Sequence, residues 1–245
     1  MVLAAAGALW GQMPPDFSGV YYPVNPFGRL AGRPKAAAPE GPPPKPTASA
    51  PVGDGSNGRR PDEPSLTAEY LAKWQMISKS LISGSSEYDA TAKCLPPGMP
   101  SMMSMFYGME VMQNKDKITF FSELNDAMRR VYLDGRKPSQ KVLDDPTYAG
   151  YSTGHWDGDT LVVETVAIRD DTFIEGFTPH SAAMTVRERI RFKEPGLLED
   201  RITVSDPKAL TKPWETLKTY RKAKPGTGTD ELREFACAEG IAEAK

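Results

Sequence analysis

The chain is poor in the residues that mark metal, redox and nucleotide chemistry. Its 245 residues hold two cysteines and two histidines. Neither pair sits in a spacing that would chelate zinc. No Gly-rich phosphate loop and no Gly-x-Ser-x-Gly elbow occurs, which excludes the familiar nucleotide-dependent enzymes and α/β-hydrolases. Charge of one sign is lacking too: 30 Lys and Arg face 32 Asp and Glu, for a net charge of −2. That balance leaves no electrostatic footprint for nucleic acid. No apolar run is long enough for a membrane-spanning helix. These absences together predict no cofactor and no metal.

Residues 1–12, Met-Val-Leu-Ala-Ala-Ala-Gly-Ala-Leu-Trp-Gly-Gln, are apolar and small. They read as the remnant of a secretory signal without its basic leader, and so point to a periplasmic or secreted protein. In such a compartment Cys94 and Cys237 invite a disulfide; two buried free thiols are the alternative.

From 13 to 64 the chain is rich in Pro and Gly, as in Lys35-Ala-Ala-Ala-Pro-Glu-Gly-Pro-Pro-Pro-Lys-Pro and Gly53-Asp-Gly-Ser-Asn-Gly. It lacks apolar periodicity and reads as a mostly disordered tether. Only Phe17 to Tyr22 offers a short strand. Residues 65–240 are expected to form a single domain, led by a helix over 66–82. Thr67 is the expected N-cap, and Tyr70, Trp74, Ile77 and Leu81 fall on one face.

Beyond the helix, β-rich runs follow one another with tight turns between them and no intervening helix. They are 108–113, 117–124, 128–133, 152–156, 160–168, 184–192, 197–204, 213–221 and 232–237. The Asp157-Gly158 pair is a strong hairpin signal. The fold class is mainly β: an antiparallel, up-and-down, lipocalin-like barrel of eight or nine strands. Five methionines between Met99 and Met109 read either as an apolar plug or as one wall of a ligand pocket.

Several motifs carry a resemblance. Cys94-Leu-Pro-Pro-Gly-Met-Pro, Gly154-His-Trp-Asp-Gly-Asp-Thr-Leu-Val-Val-Glu-Thr, Glu188-Arg189, and Asp206-Pro207 followed by Thr211-Lys-Pro-Trp resemble an uncharacterised family of exported proteobacterial proteins. The resemblance spans residues 66–237 and implies a secreted, lipocalin-like barrel with no assigned activity. Members often carry an acid directly after a His-Ser pair. Here Ala182 follows His180-Ser181.

The candidate site is read from one strand. In 184–192, Met184, Val186, Glu188, Ile190 and Phe192 alternate with Thr185, Arg187, Arg189 and Arg191. Period-two alternation sends the first set to the core and the arginines to solvent. Glu188 is thereby a carboxylate among apolar side chains, costly unless paired. Of the adjacent Arg129 and Arg130, one must point inward. Both faces of that strand are equally apolar, and Arg130 is favoured because Tyr132 accompanies it.

Glu188, His180, Arg130 and Tyr132 are the candidate proton-transfer and anion-binding groups. His155, Trp156, Met103, Met105 and Phe106 are the candidate substrate contacts. The competing reading of Glu188 is a structural ion pair; that of Trp156 is a core anchor. Three functions follow. The first is a cofactor-independent lyase or isomerase of a small hydrophobic or aromatic acid held inside the barrel. The others are a non-catalytic carrier of such a molecule and a tethered envelope protein.

Overall fold

The computed structural model describes residues 14–24, 59, 62–104, 106–235 and 237. The expected signal remnant, almost all of the Pro-rich tether and Met105 lie outside them.

Nine strands close into one barrel: β1 Gly19–Pro23, β2 Met109–Gln113, β3 Lys117–Ser122, β4 Met128–Tyr132, β5 Tyr151–Asp157, β6 Thr160–Val166, β7 Thr185–Glu194, β8 Leu197–Ser205 and β9 Trp214–Lys222. The mainly β class and the barrel are as expected, with two corrections. The sheet is not wholly antiparallel, because β4 and β5 run parallel. Parity explains this: strands that alternate around a closed ring of odd number must meet one neighbour in the same direction. The connection over 133–150, which holds the short helix α1 Gln140–Asp144, makes that crossover.

The second correction concerns closure. Residues 232–235 form no strand. β1 closes the ring instead, pairing with β2 through Val20↔Glu110 and with β9 through Tyr22↔Arg221. Val20 and Tyr21 are its buried residues, and Tyr21 donates its hydroxyl to the Phe17 carbonyl at 2.9 Å.

The parallel seam is thin, with only Val131↔Ser152 and Tyr132↔Thr153 in register. Gly154 belongs here for want of room. A Cβ on it would stand 2.9 Å from Val131 Cγ1 and 3.1 Å from the Val162 carbonyl oxygen.

Side chains fill the barrel. Phe17, Tyr21, Ile118, Phe120, Val131, Leu161, Val163, Val186, Ile190, Leu198, Ile202 and Val204 belong to one apolar cluster. Met99, Met102 and Met103 join it, so the described part of the methionine run is a plug. The plug is pinned at several points: Met99 N–H donates to the Tyr148 carbonyl at 2.9 Å, Ser101 Oγ donates to the Phe173 carbonyl at 2.8 Å, and Tyr220 donates its hydroxyl to the Met103 carbonyl.

The long helix, α2 Ala68–Ile82, precedes the plug in sequence and buries Tyr70 and Ile77, two members of the expected stripe. Thr67 is its N-cap residue, but the Thr67 hydroxyl donates to the Lys208 carbonyl at 3.0 Å rather than capping the helix. Cys94 and Cys237 form a disulfide across 143 residues, with their Cα atoms 5.6 Å apart.

Candidate functional site

The outward arginines and inward Glu188 of β7 stand as alternation requires. Arg187, Arg189 and Arg191 are exposed, while Val186, Glu188 and Ile190 are buried. Arg189 pairs with Asp157 at 2.9 Å on the outer wall.

The partner of Glu188 is Arg129, not Arg130. Met128, Arg130 and Tyr132 share the outer face of β4, and Arg129 and Val131 the inner one. The inward assignment of Arg130 is therefore corrected. Register across the sheet decides it: Arg129 lies opposite Phe120 and Val131 opposite Ile118, and both partners are core residues.

Arg129 and Glu188 are each 0% exposed. The guanidinium grips the carboxylate in a fork, Nη1 to Oε1 at 2.8 Å and Nη2 to Oε2. Two further hydrogen bonds go to Ser152 Oγ at 3.0 Å and Thr165 Oγ1 at 2.9 Å. Bidentate geometry and added hydrogen bonds are what a buried ion pair needs to offset its desolvation.

A second interior carboxylate, Asp200 on β8, was not among the sequence candidates. Its signal is the alternation Leu198, Asp200, Ile202, Val204, the same period that marks Glu188. Asp200 is 0% exposed, and no donor among the described residues reaches either of its carboxylate oxygens. Burial, and then the charge of Glu188, pushes the Asp200 carboxyl well above the usual carboxylate range, although Arg129 and Lys218 pull the other way. Tyr220 nearby is likewise held well above the ordinary phenol value, first by burial and then by Asp200 and Glu188.

The other sequence candidates scatter. His180 is buried in the loop after β6. Its Nδ1–H donates to the Ser181 carbonyl at 2.9 Å, and Nε2 lies 2.9 Å from Thr172 Oγ1. Burial lowers its pKa and outweighs the Ser181 carbonyl and the nearby Asp206, Asp170 and Asp171. Next to it Asp206 accepts from Ser181 N–H at 2.6 Å and Ser181 Oγ at 2.8 Å. Burial alone would raise Asp206, but these bonds and those from Ala209 and Lys208 hold it low.

His155 is exposed on β5. Trp156 packs on Phe17, ring centroids 5.3 Å apart, as a core-edge anchor. Met103 is part of the plug. Phe106 is exposed and stacked on Tyr107 at 4.5 Å. None of these four lines the cavity described next.

That cavity is a cleft of about 390 Å³ on the outer wall, over the parallel seam. Its volume lies at the lower end of small-molecule sites. Arg130, Tyr132, Met128, Tyr148 and Tyr151 line it, with Pro96, Gly98 and Met102 from the plug segment on one side. The rings of Tyr132 and Tyr151 are 5.3 Å apart and tilted by 32°. Arg136 stacks on Tyr132 at 4.2 Å, and Arg169 on Tyr148 at 4.8 Å. Both of those arginines are also paired, with Asp134 and Asp171. Arg130 has no ion pair among the described residues. The structure thus brings Arg130 and Tyr132 together, outside the barrel rather than within it.

No family model and no curated protein matches the chain. Solved structures similar to part of it include wild-type fluorescent protein UnaG, at TM-score 0.28 and 17% identity, covering 47% of this chain and 72% of that one. An asparagine-to-alanine mutant of UnaG gives TM-score 0.29 and 17% identity, over 48% and 71% of the two chains. Among the described residues no helix is long and apolar enough to cross a membrane, and no group of three or more His, Cys, Asp or Glu is placed to hold a metal ion.

Proposed function

We propose that this barrel is an exported, non-catalytic binder of a small aromatic or hydrophobic acid, which it takes in the outer cleft over the β4–β5 seam. The observation that carries this reading is Arg130, an arginine without an ion-pair partner among the described residues, beside the paired rings of Tyr132 and Tyr151. A guanidinium at the edge of an aromatic wall suits a ligand with a carboxylate at one end and a ring at the other. The disulfide Cys94–Cys237 is compatible with an oxidising compartment, and the motif resemblance to an exported family agrees with it.

The interior is the poorer place for a ligand. Arg129 has committed four of its hydrogen bonds to Glu188, Ser152 and Thr165. The wall of the barrel also separates Glu188 from the cleft, so Glu188 has no route to a substrate bound there. The lyase or isomerase reading is supported only by the paired acids Glu188 and Asp200.

One experiment separates the two. The protein is titrated with a panel of aromatic carboxylates by calorimetry, and each mixture is then analysed by mass spectrometry. The expected result is stoichiometric binding, unaltered ligand, and a loss of affinity of about ten- to a hundredfold in Arg130→Ala, the weight of a charge-assisted hydrogen bond. Product formation that disappears in Glu188→Gln would overturn the carrier reading.

A further inference from the structure

Three ionisable side chains are sealed together in the barrel: Arg129 from β4, Glu188 from β7 and Asp200 from β8, each 0% exposed. Their charges do not balance. Arg129 grips Glu188 through a two-pronged contact and gives two further hydrogen bonds to Ser152 and Thr165. No donor among the described residues reaches either oxygen of Asp200; its hydrogen-bonding neighbour is the acceptor Glu188.

The groups around it supply no second cation within the seal. Lys218, opposite Asp200 in the β8–β9 register, reaches instead to Glu175 of the loop between β6 and β7 at 2.9 Å. Tyr220 on β9 has given its hydroxyl hydrogen to the Met103 carbonyl. An uncompensated carboxylate in such surroundings is strongly unfavourable. The alternative is to carry a hydrogen and remain neutral.

We infer that the barrel interior is a proton-binding site, in which Asp200 stays protonated at neutral pH beside the Arg129–Glu188 pair. The bound proton is a structural ligand of the fold. The direction of the Asp200 shift agrees with this.

The consequence for stability has a definite sign. Unfolded, Asp200 releases its proton at the ordinary carboxylate value; folded, it keeps it to higher pH. The stabilisation is complete below the unfolded value. It falls as pH rises towards the folded value, above which no further loss occurs. One proton is released on unfolding across that window, so the folding constant drops about tenfold per pH unit from this site alone.

The test is denaturant unfolding of the full chain from mildly acid to alkaline pH, for wild type and Asp200→Asn. Asparagine has the shape of the neutral acid and cannot ionise. The expected result is a folding constant that falls about tenfold more per pH unit in wild type than in the variant. Parallel profiles would overturn the inference. Should Asp200→Asn not fold, infrared spectroscopy of the wild type decides. A protonated-carboxyl band at neutral pH that vanishes on unfolding is expected, and its absence from the folded protein would overturn the site.

Discussion

Arg129 and Arg130 are neighbours in sequence and opposites in circumstance. Arg129 is 0% exposed and spends its guanidinium on Glu188, Ser152 and Thr165. Arg130 is exposed at the rim of a cleft and has no ion pair among the described residues. One residue of strand, with its reversal of side-chain direction, separates a structural cation from an available one. The lesson is general: the chemistry of an arginine here is set by which side of the wall it stands on. A buried charge is held in place by its partners, whereas a charge at a rim remains free to meet a ligand.

The largest effect should come from the inner face. Arg129→Leu leaves Glu188 without a partner inside the barrel, and we expect a loss of about 3–5 kcal/mol in denaturant unfolding. A loss under about 1 kcal/mol would break the comparison by making the inner pair as dispensable as a surface one.

Next is the disulfide, which ties the segment forming the cleft's plug-side wall to residue 237. Replacing both cysteines by serine should cost about 2–5 kcal/mol, the usual range for removing a native disulfide. It should also weaken ligand binding at the cleft while leaving the pH slope of the interior unchanged. A change in that slope would mean the two regions are not independent.

The seam between the regions is probed by Gly154→Ala. The new methyl would meet Val131 Cγ1 at 2.9 Å, and the overpacking should cost about 1–3 kcal/mol by thermal or chemical unfolding. An effect near zero would show that the seam yields, and that cleft shape is adjustable.

His180 supplies an acid limb. Its folded pKa lies below the ordinary histidine value of 6.5 because the ring is buried. Its contribution is therefore present above that value and is lost as pH falls towards the folded one. His180→Gln should flatten the stability profile on the acid side of pH 6.5. An unchanged acid limb would assign it to other groups. This limb and the slope of Asp200 have opposite signs, so a pH series on His180→Gln and Asp200→Asn separates the two sites.

The smallest stability effect belongs to Arg130→Ala, within about 0.5 kcal/mol of wild type, together with the loss of ligand affinity already described. If it destabilised the fold as Arg129→Leu should, the contrast between inner and outer arginine would fail.

Much of this architecture is legible in the chain. The period of two over 184–192 places Glu188 inside and the three arginines outside, because one apolar face must be buried. The helical stripe and the Asp-Gly hairpin are local and so are readable locally. Asp200 is legible by the same alternation, through Ile202 and Val204, and only the neighbouring Glu199 obscures it. By contrast, the two faces of 128–133 are equally apolar, so no local pattern ranks Arg130 below Arg129.

By itself, then, the sequence determined that the protein is a barrel, that an acid lies within it, and that its two cysteines were available to pair. Each of these follows from periodicity or composition over a short span. Only the tertiary structure decided which arginine meets that acid, that an N-terminal strand closes the ring in place of 232–237, and that a parallel seam opens a cleft on the outer wall. Those outcomes depend on register between strands far apart in the chain, and register across a closed barrel is a property of all nine strands together.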